Sequence, residues 1–280
     1  MKKKLITIVG TLMLGTLVFP LVAKATGGNG FIQVPSIDVR SNLFEGIKTK
    51  LSEDGESNLA KDLEYVYNRY GVIPLEYMDK VTYVGSDWVE PYLNGLEHAE
   101  NLERLMGEFI DELQDFTPIK NSRKLKEILV TYGNNTNLKD LRNLENLEKL
   151  TIGSRGVSDR ESWPEKMDML ALYDLSDLSE LTNLKRIKID TAGLLQTITL
   201  KKGTKTYEMY SPVIKSSQFK DSVVKYYGDD EEVTFTEKDS LLRWENIDND
   251  TEFLLLTWDT SVGENYHFSG DTKIPINWID

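Results

Sequence analysis

Leucine recurs at every third position from Leu138 to Leu150, and Ile152 then follows two residues later. A three-residue spacing suits a tight helical or 3₁₀ turn, whereas the final two-residue step is the spacing of a strand. This short segment therefore predicts a turn followed by a strand. Because a single unit of this kind cannot bury its leucines, the pattern requires similar neighbours.

The same pattern occurs at three other places. The fourth apolar position of each copy falls, in chain order, at Leu102, Leu125, Leu147 and Leu184. The spacings are 23, 22 and 37 residues, and the first two match a leucine-rich repeat of roughly 20–29 residues. The third equals one repeat plus an insertion at about residues 158–171, which contains Trp163. With a first strand expected at residues 80–84, we predict about five repeats over residues 80–194.

Two amphipathic helices are expected before the repeats. One covers residues 41–51, and the other covers residues 58–70 with Ser57 as its N-cap and Gly71 just beyond its end. A stack of repeats must be closed at its open end by an element with a polar outer side. We therefore predict that residues 26–79 form a flexible leader and a helical cap.

The leucine spacing stops after Leu194, and short β-rich runs then alternate with turn residues. The expected strands cover residues 196–200, 206–210, 222–227, 232–235, 241–244, 253–258, 266–268 and 274–278. Several short strands at this spacing are typical of a small antiparallel sandwich. We predict that residues 195–280 form such a sandwich, packed directly on the last repeat because no Pro/Gly linker separates the two.

Residues 1–25 have the pattern of a secretory signal peptide, with a basic start, an apolar run and Ala23-Lys24-Ala25 before the expected cleavage site. A retained membrane anchor is the alternative, which glycines and a proline within the run disfavour. The chain contains no cysteine, which excludes a lipid anchor, disulfides and thiolate chemistry and favours a Gram-positive bacterial source. We expect a secreted, extracellular protein, released or loosely held at the cell wall, with no stable membrane anchor after cleavage.

The net charge of the chain is −13. Such acidity argues against nucleic-acid binding and against binding to anionic membranes. It is consistent with a basic partner surface and equally with a solvated acidic exterior.

These segments, in this order, resemble the internalins, a family of exported bacterial leucine-rich-repeat proteins. The resemblance rests on the signal peptide, Asn58-Leu59-Ala60 in the second helix, the repeat phrases, the phrase at residues 244–248, and Phe268-Ser269-Gly270. It implies an α+β repeat fold class, with a short leucine-rich-repeat solenoid that has an α-helical N-cap and is followed by an Ig-like antiparallel β-sandwich. It also implies a role in virulence through binding a host surface or bacterial envelope protein.

Three features depart from the family pattern. The asparagine that the family places after each strand is replaced by Ile110, Gly133, Arg155 and Ala192. We therefore predict that the hydrogen-bonded asparagine ladder between repeats is absent. The repeats are also few. No LPxTG sorting motif and no wall-binding module occurs before Asp280, so we expect a small released protein.

Residues that alternate with the core positions of each predicted strand should lie on the concave face of the repeats. The candidate partner-binding residues are Lys80, Arg104, Met106, Glu108, Phe109, Glu127, Leu129, Tyr132, Lys149, Thr151, Arg186 and Lys188. Basic residues next to exposed aromatics are typical of protein-binding hot spots. A merely solvated charged face is the alternative reading. The insertion with Trp163 is a second candidate site, and a cell-envelope structural or glycan-binding module is the alternative function.

Enzyme signatures are missing from the sequence. The two histidines, His98 and His267, fall on an expected outer turn and an expected strand, and no nucleophile-elbow, Walker, zinc-protease or dinucleotide motif occurs. A glycosidase carboxylate pair stays open. The acidic runs at residues 229–232 and 248–250 lack the EF-hand spacing, which favours surface turns over a Ca²⁺ site. We expect a non-enzymatic protein with no catalytic residues, no metal and no cofactor.

Overall fold

The computed structural model describes most of the chain after the expected signal peptide. It covers residues 30–88, 92–109, 113, 115–131, 138–153, 170–228 and 233–280, without the side chains of residues 86–88, 108, 109 and 131. The predicted signal peptide, Tyr132 and Trp163 with most of its insertion lie outside the described residues.

Two α-helices lie near the start of the described chain. They are α1 (Ile37–Glu53) and α2 (Ser57–Tyr70), and the short antiparallel strands β1 (Phe31–Ile32) and β2 (Ile73–Pro74) pair on either side of them. Both helices were predicted, although α1 is longer than expected. Neither described helix has the length and apolar character needed to cross a membrane.

The helix ends follow ordinary capping chemistry. Ser36 caps α1, since its hydroxyl oxygen accepts a hydrogen bond from the backbone N–H of Val39 at 3.1 Å. The predicted cap of α2, Ser57, is instead its first helical residue, and Glu56 precedes it without a side-chain capping bond. Gly71 ends α2 at φ +62°, as predicted, because glycine adopts this left-handed conformation without strain.

Five parallel strands follow the helices. They are β3 (Tyr83–Trp88), β4 (Arg104–Phe109), β5 (Glu127–Thr131), β6 (Lys149–Gly153) and β7 (Arg186–Leu194). A short 3₁₀ turn precedes each of the last four strands, at Leu96–His98, Thr117–Ile119, Lys139–Leu141 and Ser176–Leu178. The predicted register of these four strands is confirmed, since Ile128 pairs with Leu150 and Leu150 with Ile187, and all three are fully buried.

The remaining strands complete one large and one small sheet. They are β8 (Ile198–Lys201), β9 (Thr206–Tyr210), β10 (Lys225–Tyr227), β11 (Thr234–Lys238), β12 (Leu241–Glu245), β13 (Phe253–Val262) and β14 (Tyr266–Ile279). β14 pairs antiparallel with β13 and parallel with β7, while β11, β12 and β9 form a separate three-stranded sheet. The two runs predicted at residues 266–268 and 274–278 are therefore parts of one strand.

The predicted fold class, an α+β leucine-rich-repeat solenoid with a helical cap followed by an Ig-like sandwich, is wrong. The regular secondary structure of the described residues is mostly β-strand, with α-helix confined to α1 and α2 and only 3₁₀ turns leading into the later parallel strands. They form no distinct capped solenoid followed by a sandwich. β14 pairs with β7 over eight residues, so the parallel strands and the tail strands belong to one nine-stranded sheet.

The first parallel strand also begins later than predicted. Val84, not Val81, pairs with Leu105. The 3₁₀ turn Leu75–Lys80 takes up the residues expected to start this strand. Val81 is fully buried beside Gly46 of α1, so its apolar side chain packs against the helix before the sheet begins.

Candidate interaction face

The large sheet has a buried side and an accessible side. On the accessible side, the parallel register places Tyr83, Arg104, Glu127, Lys149 and Arg186 side by side, which we call the first row. Two residues further along each strand, a second row contains Gly85, Met106, Leu129, Thr151 and Lys188. We call the two rows together the polar face. The alternation of buried and accessible residues in a strand produces it.

Glu127 lies at the centre of an ion-pair network in the first row. Its carboxylate accepts a hydrogen bond from Arg104 Nε at 3.0 Å and lies 3.6 Å from Lys149 Nζ. The side chain of Glu127 is 23% exposed, whereas those of Arg104 and Lys149 are each 51% exposed. The two cations therefore share one carboxylate and remain open to solvent.

Arg104 also contacts an aromatic ring at one end of the row. Its guanidinium carbon lies 5.5 Å from the ring centroid of Tyr83, which is within the range of a cation–π contact. Tyr83 is 47% exposed. An accessible tyrosine stacked against arginine is a combination that protein interfaces favour. The sequence did not predict this pair, because it placed Lys80 at the position that Tyr83 occupies.

The second end of the polar face carries two cations with a different environment. Arg186 is exposed and Lys188 is half-buried, on adjacent accessible positions of β7. Neither makes an ion pair with any residue that the structure describes, in contrast to Arg104 and Lys149.

Four of the predicted binding residues cannot be placed on the polar face as side chains, and one of them, Tyr132, lies outside the described residues. Lys80 lies in the 3₁₀ turn before β3, where its ammonium group is 2.8 Å from the Asp54 carboxylate. Its predicted place in the first row is therefore wrong. Glu108 and Phe109 belong to β4, but their side chains lie outside the described part of the structure.

The accessible side continues from β7 onto β14 and β13. His267 pairs with Lys188, and its Nε2 lies 3.1 Å from the Asp190 carboxylate while its Nδ1 lies 3.7 Å from that of Asp259. The Ser269 hydroxyl donates to Asp190 at 2.6 Å. Serine thus donates to a carboxylate and not to the imidazole, an arrangement without the nucleophile–base hydrogen bond of a hydrolytic triad.

The other candidate chemical groups in the described ranges are engaged in surface contacts, and the acidic run at residues 229–232 lies outside those ranges. His98 Nε2 lies 3.8 Å from the neighbouring Glu97 carboxylate. Asp248 pairs with Lys205, and the side chain of Asn249 accepts a hydrogen bond from the Gly203 backbone at 2.7 Å. In the described ranges, no group of three His, Cys, Asp or Glu side chains could hold a metal ion.

An asparagine ladder links the outer turns of neighbouring units. The side-chain amides of three asparagines each donate to a backbone carbonyl of the preceding unit. The bonds run from Asn101 to Asp79 at 2.6 Å, from Asn146 to Arg123 at 2.7 Å, and from Asn183 to Glu145 at 2.7 Å. These asparagines precede the strands, so the predicted absence of a ladder after each strand stays a prediction, and residues 110, 133 and 155 lie outside the described residues. The Asn-Leu dipeptide shortly before β4, β6 and β7 was the sequence signal for the observed ladder, whereas Lys124 stands at the equivalent position before β5.

Two cavities lie away from the polar face. One of about 190 Å³ is lined mainly by apolar side chains of the tail, including Tyr207, Met209 and Ile274. This volume is below the range of about 300–1,000 Å³ that small-molecule sites usually have. The other, of about 790 Å³, is an open groove on the outer turns lined by both acidic and basic side chains, including Glu97 and Lys120.

Comparisons with known proteins give only distant similarities. No family model matches the chain. No curated protein matches it either.

Three solved structures from Listeria monocytogenes are similar to this chain. Internalin C2 is 17% identical over 55% of this chain and 64% of its own, with a TM-score of 0.34. Internalin InlF is 23% identical over 55% of this chain and 43% of its own, with a TM-score of 0.32. InlP is 11% identical over 88% of this chain and 99% of its own, with a TM-score of 0.20. The chain is thus distantly similar to internalins.

Proposed function

We propose that this chain binds a protein partner through the polar face of β3–β7. The observation that supports the proposal is the charge of that face. Its two rows contain four cations and one carboxylate among the described side chains, in a chain of net charge −13. A basic surface on an acidic protein attracts partners by electrostatic complementarity.

The dimensions of the face suit a protein better than a small molecule. Five strands about 4.8 Å apart and about five residues long cover roughly 20 Å by 17 Å. An ordinary protein interface buries about 800 Å² on each side. A partner of ordinary size would therefore also contact the adjoining accessible positions of β14, among them His267.

We further propose that the chain acts outside the cell, at the interface between a bacterium and its host. The signal-peptide pattern of residues 1–25 supports export, and the absence of cysteine in an exported chain favours a Gram-positive bacterial source.

The test compares partner capture by two triple variants. One carries Arg104→Ala, Lys149→Ala and Arg186→Ala on the polar face, and the control carries alanine at the exposed residues Lys61, Lys201 and Lys220. Alanine is chosen because glutamate at residues 104 and 149 would place two further carboxylates beside that of Glu127. Both variants lose three positive charges, so the control accounts for the change in net charge.

The immobilised proteins are incubated with host-surface and bacterial-envelope fractions, and captured proteins are identified by mass spectrometry. We expect the face variant, but not the control, to lose a protein that the unaltered chain captures, while both keep the same thermal midpoint. Equal capture by all three proteins would refute the proposal. Face-dependent capture of a polysaccharide instead of a protein would favour a glycan-binding module.

A further inference from the structure

The cations of the polar face differ in how well they are neutralised. Arg104 and Lys149 share the Glu127 carboxylate. Arg186 and Lys188 have no ion pair among the described residues, although they are neighbours on the accessible side of β7. The excess positive charge is therefore concentrated at β7, next to the partly neutralised Lys149 of β6.

A partner that covers these cations must compensate for lost hydration. Removing a lysine or arginine from water is costly unless an anion and hydrogen bonds replace the solvent. An apolar or basic partner segment would leave Arg186 and Lys188 desolvated and unpaired. A segment that carries carboxylates would pair with them and reach the face faster through electrostatic steering.

The surroundings limit where such a segment can lie. Asp190 follows Lys188 by two residues on the same strand, and its carboxylate already accepts hydrogen-bonding contacts from Ser269 and His267. Asp259 lies on the other side of His267. Negative charge at this end of the face repels a second acidic group, so the favourable positions are opposite the first and second rows.

We infer that the partner presents an acidic polypeptide segment to Lys149, Arg186 and Lys188, and this inference rests on the function proposed above. Lys149 and Arg186 are paired on adjacent strands, which places their backbones about 5 Å apart. Arg186 and Lys188 are two residues apart on one strand, which gives about 6.6 Å. An extended segment with carboxylates at alternate positions has the same 6.6 Å repeat, so two of its acidic side chains can face β7 together.

The experiment measures binding of two labelled peptides to the purified chain by fluorescence anisotropy. One peptide alternates glutamate with threonine, and the other has glutamine in place of each glutamate. The variants are Arg186→Glu with Lys188→Glu, and a control with Lys61→Glu and Lys220→Glu, which changes the net charge by the same amount at exposed sites elsewhere.

We expect the glutamate peptide to bind the unaltered chain at low salt and to bind less tightly at physiological salt, where charges are screened beyond about 8 Å. The face variant should bind it at least about tenfold less tightly, because attraction at both cations becomes repulsion. The control variant should bind within about twofold of the unaltered chain, and the glutamine peptide should not bind measurably.

Four results would overturn the inference. The first is no binding of the glutamate peptide, and the second is an equal loss of its affinity in the face variant and the control variant. The third is binding of the glutamine peptide as tight as that of the glutamate peptide. The fourth is tighter binding of heparin oligosaccharide than of the glutamate peptide at the same two cations, which would indicate an anionic glycan. None of them repeats the test of the proposed function. Suppose that one of these four results is obtained and the triple alanine variant still loses its captured protein. The face then binds a partner that is not acidic, and only the present inference fails.

Discussion

At the scale of single residues, the charge of the polar face depends on Glu127. Its carboxylate is the one acidic group in the first two rows among the described side chains, and both neighbouring cations are oriented towards it. The row is therefore less positive at β4 to β6 than at β7. The electrostatic potential that acts on a partner therefore becomes more positive along the row towards β7.

Replacing Glu127 with glutamine should change binding more than stability. Exposed ion pairs contribute about 0–1 kcal/mol each, so the free energy of unfolding should fall by no more than about 1–2 kcal/mol. The amide can still accept a hydrogen bond from Arg104, but Arg104 and Lys149 lose their counter-charge. We expect tighter binding of the glutamate peptide in the anisotropy measurement. Unchanged or weaker binding would show that charge on this row does not attract the ligand.

The outer turns provide a pH-dependent contact between neighbouring units. The hydrogen bond and charge of Lys185 lower the pKa of Glu148 from its ordinary value of 4.5. A group whose pKa is lowered on folding stabilises the protein above its unfolded pKa, and that contribution is lost as the pH falls through the folded pKa. The Glu148–Lys185 contact therefore stabilises the fold at neutral pH and not in strong acid.

Replacing Lys185 with methionine should reveal this dependence in urea unfolding. At neutral pH we expect a slightly lower urea midpoint for the variant than for the unaltered chain. Below the folded pKa of Glu148 the two midpoints should coincide. A difference that is unchanged or larger in acid would contradict the assignment.

At the scale of elements, the asparagine ladder holds each turn to the one before it. The ladder bonds are 2.6–2.7 Å long and run from a side chain to a backbone carbonyl. Backbone bonds reinforce them, since the N–H groups of Lys149 and Arg186 each donate to the preceding unit at 3.0 and 3.1 Å. The strand positions, and with them the rows of the polar face, therefore depend on these contacts.

Replacing Asn146 with alanine should destabilise the protein, whereas the same change at exposed Asn143 should have little effect. The two residues lie in the same turn segment, but the ladder bond belongs to Asn146. A net loss of about 0.5–1.5 kcal/mol is expected for one hydrogen bond, measured from urea unfolding. Equal losses at the two positions would show that the ladder bond does not stabilise the fold.

At the scale of the whole molecule, the pairing of β14 with β7 decides how the protein unfolds. The eight residue pairs join the parallel strands to the tail strands, and the buried side chains of both parts belong to one continuous core. Two parts that share a sheet and a core cannot unfold independently without exposing apolar surface.

We therefore expect a single unfolding transition in urea. Far-ultraviolet circular dichroism reports on all strands, whereas tryptophan fluorescence of a variant with Trp88→Phe and Trp163→Phe comes from Trp244, Trp258 and Trp278 of the tail strands. The two signals should give the same midpoint. Separate midpoints would indicate a repeat unit and a sandwich that fold independently, which is the arrangement that the sequence predicted.

The sequence predicted the local elements better than their assembly. Alternation of apolar residues identified β4 to β7 and their register, because one buried face fixes a strand's orientation. The first strand was placed wrongly since Val81 and Val84 are both apolar and both buried. The pairing of β14 with β7 is a long-range contact that no local pattern encodes, and residues 269–273, which the sequence left between two predicted strands, continue β14.

The sequence predicted the positions of the residues on the candidate face better than their contacts. The rows of this face followed from alternation, so Arg104, Lys149 and Arg186 were placed together correctly. Which cations are neutralised depends on neighbours from other strands, and this became visible only in the structure. The binding role of the face stays a prediction.

Site-specific crosslinking tests that role most directly. The chain has no cysteine, so Thr151→Cys introduces one unique attachment point for a photo-crosslinker at the centre of the polar face, and Lys61→Cys provides a matched point on α2. Each labelled protein is mixed with the fraction that contains the captured partner and then irradiated. We predict a crosslinked product from residue 151 and none from residue 61. A product from residue 61 without one from residue 151 would contradict the account.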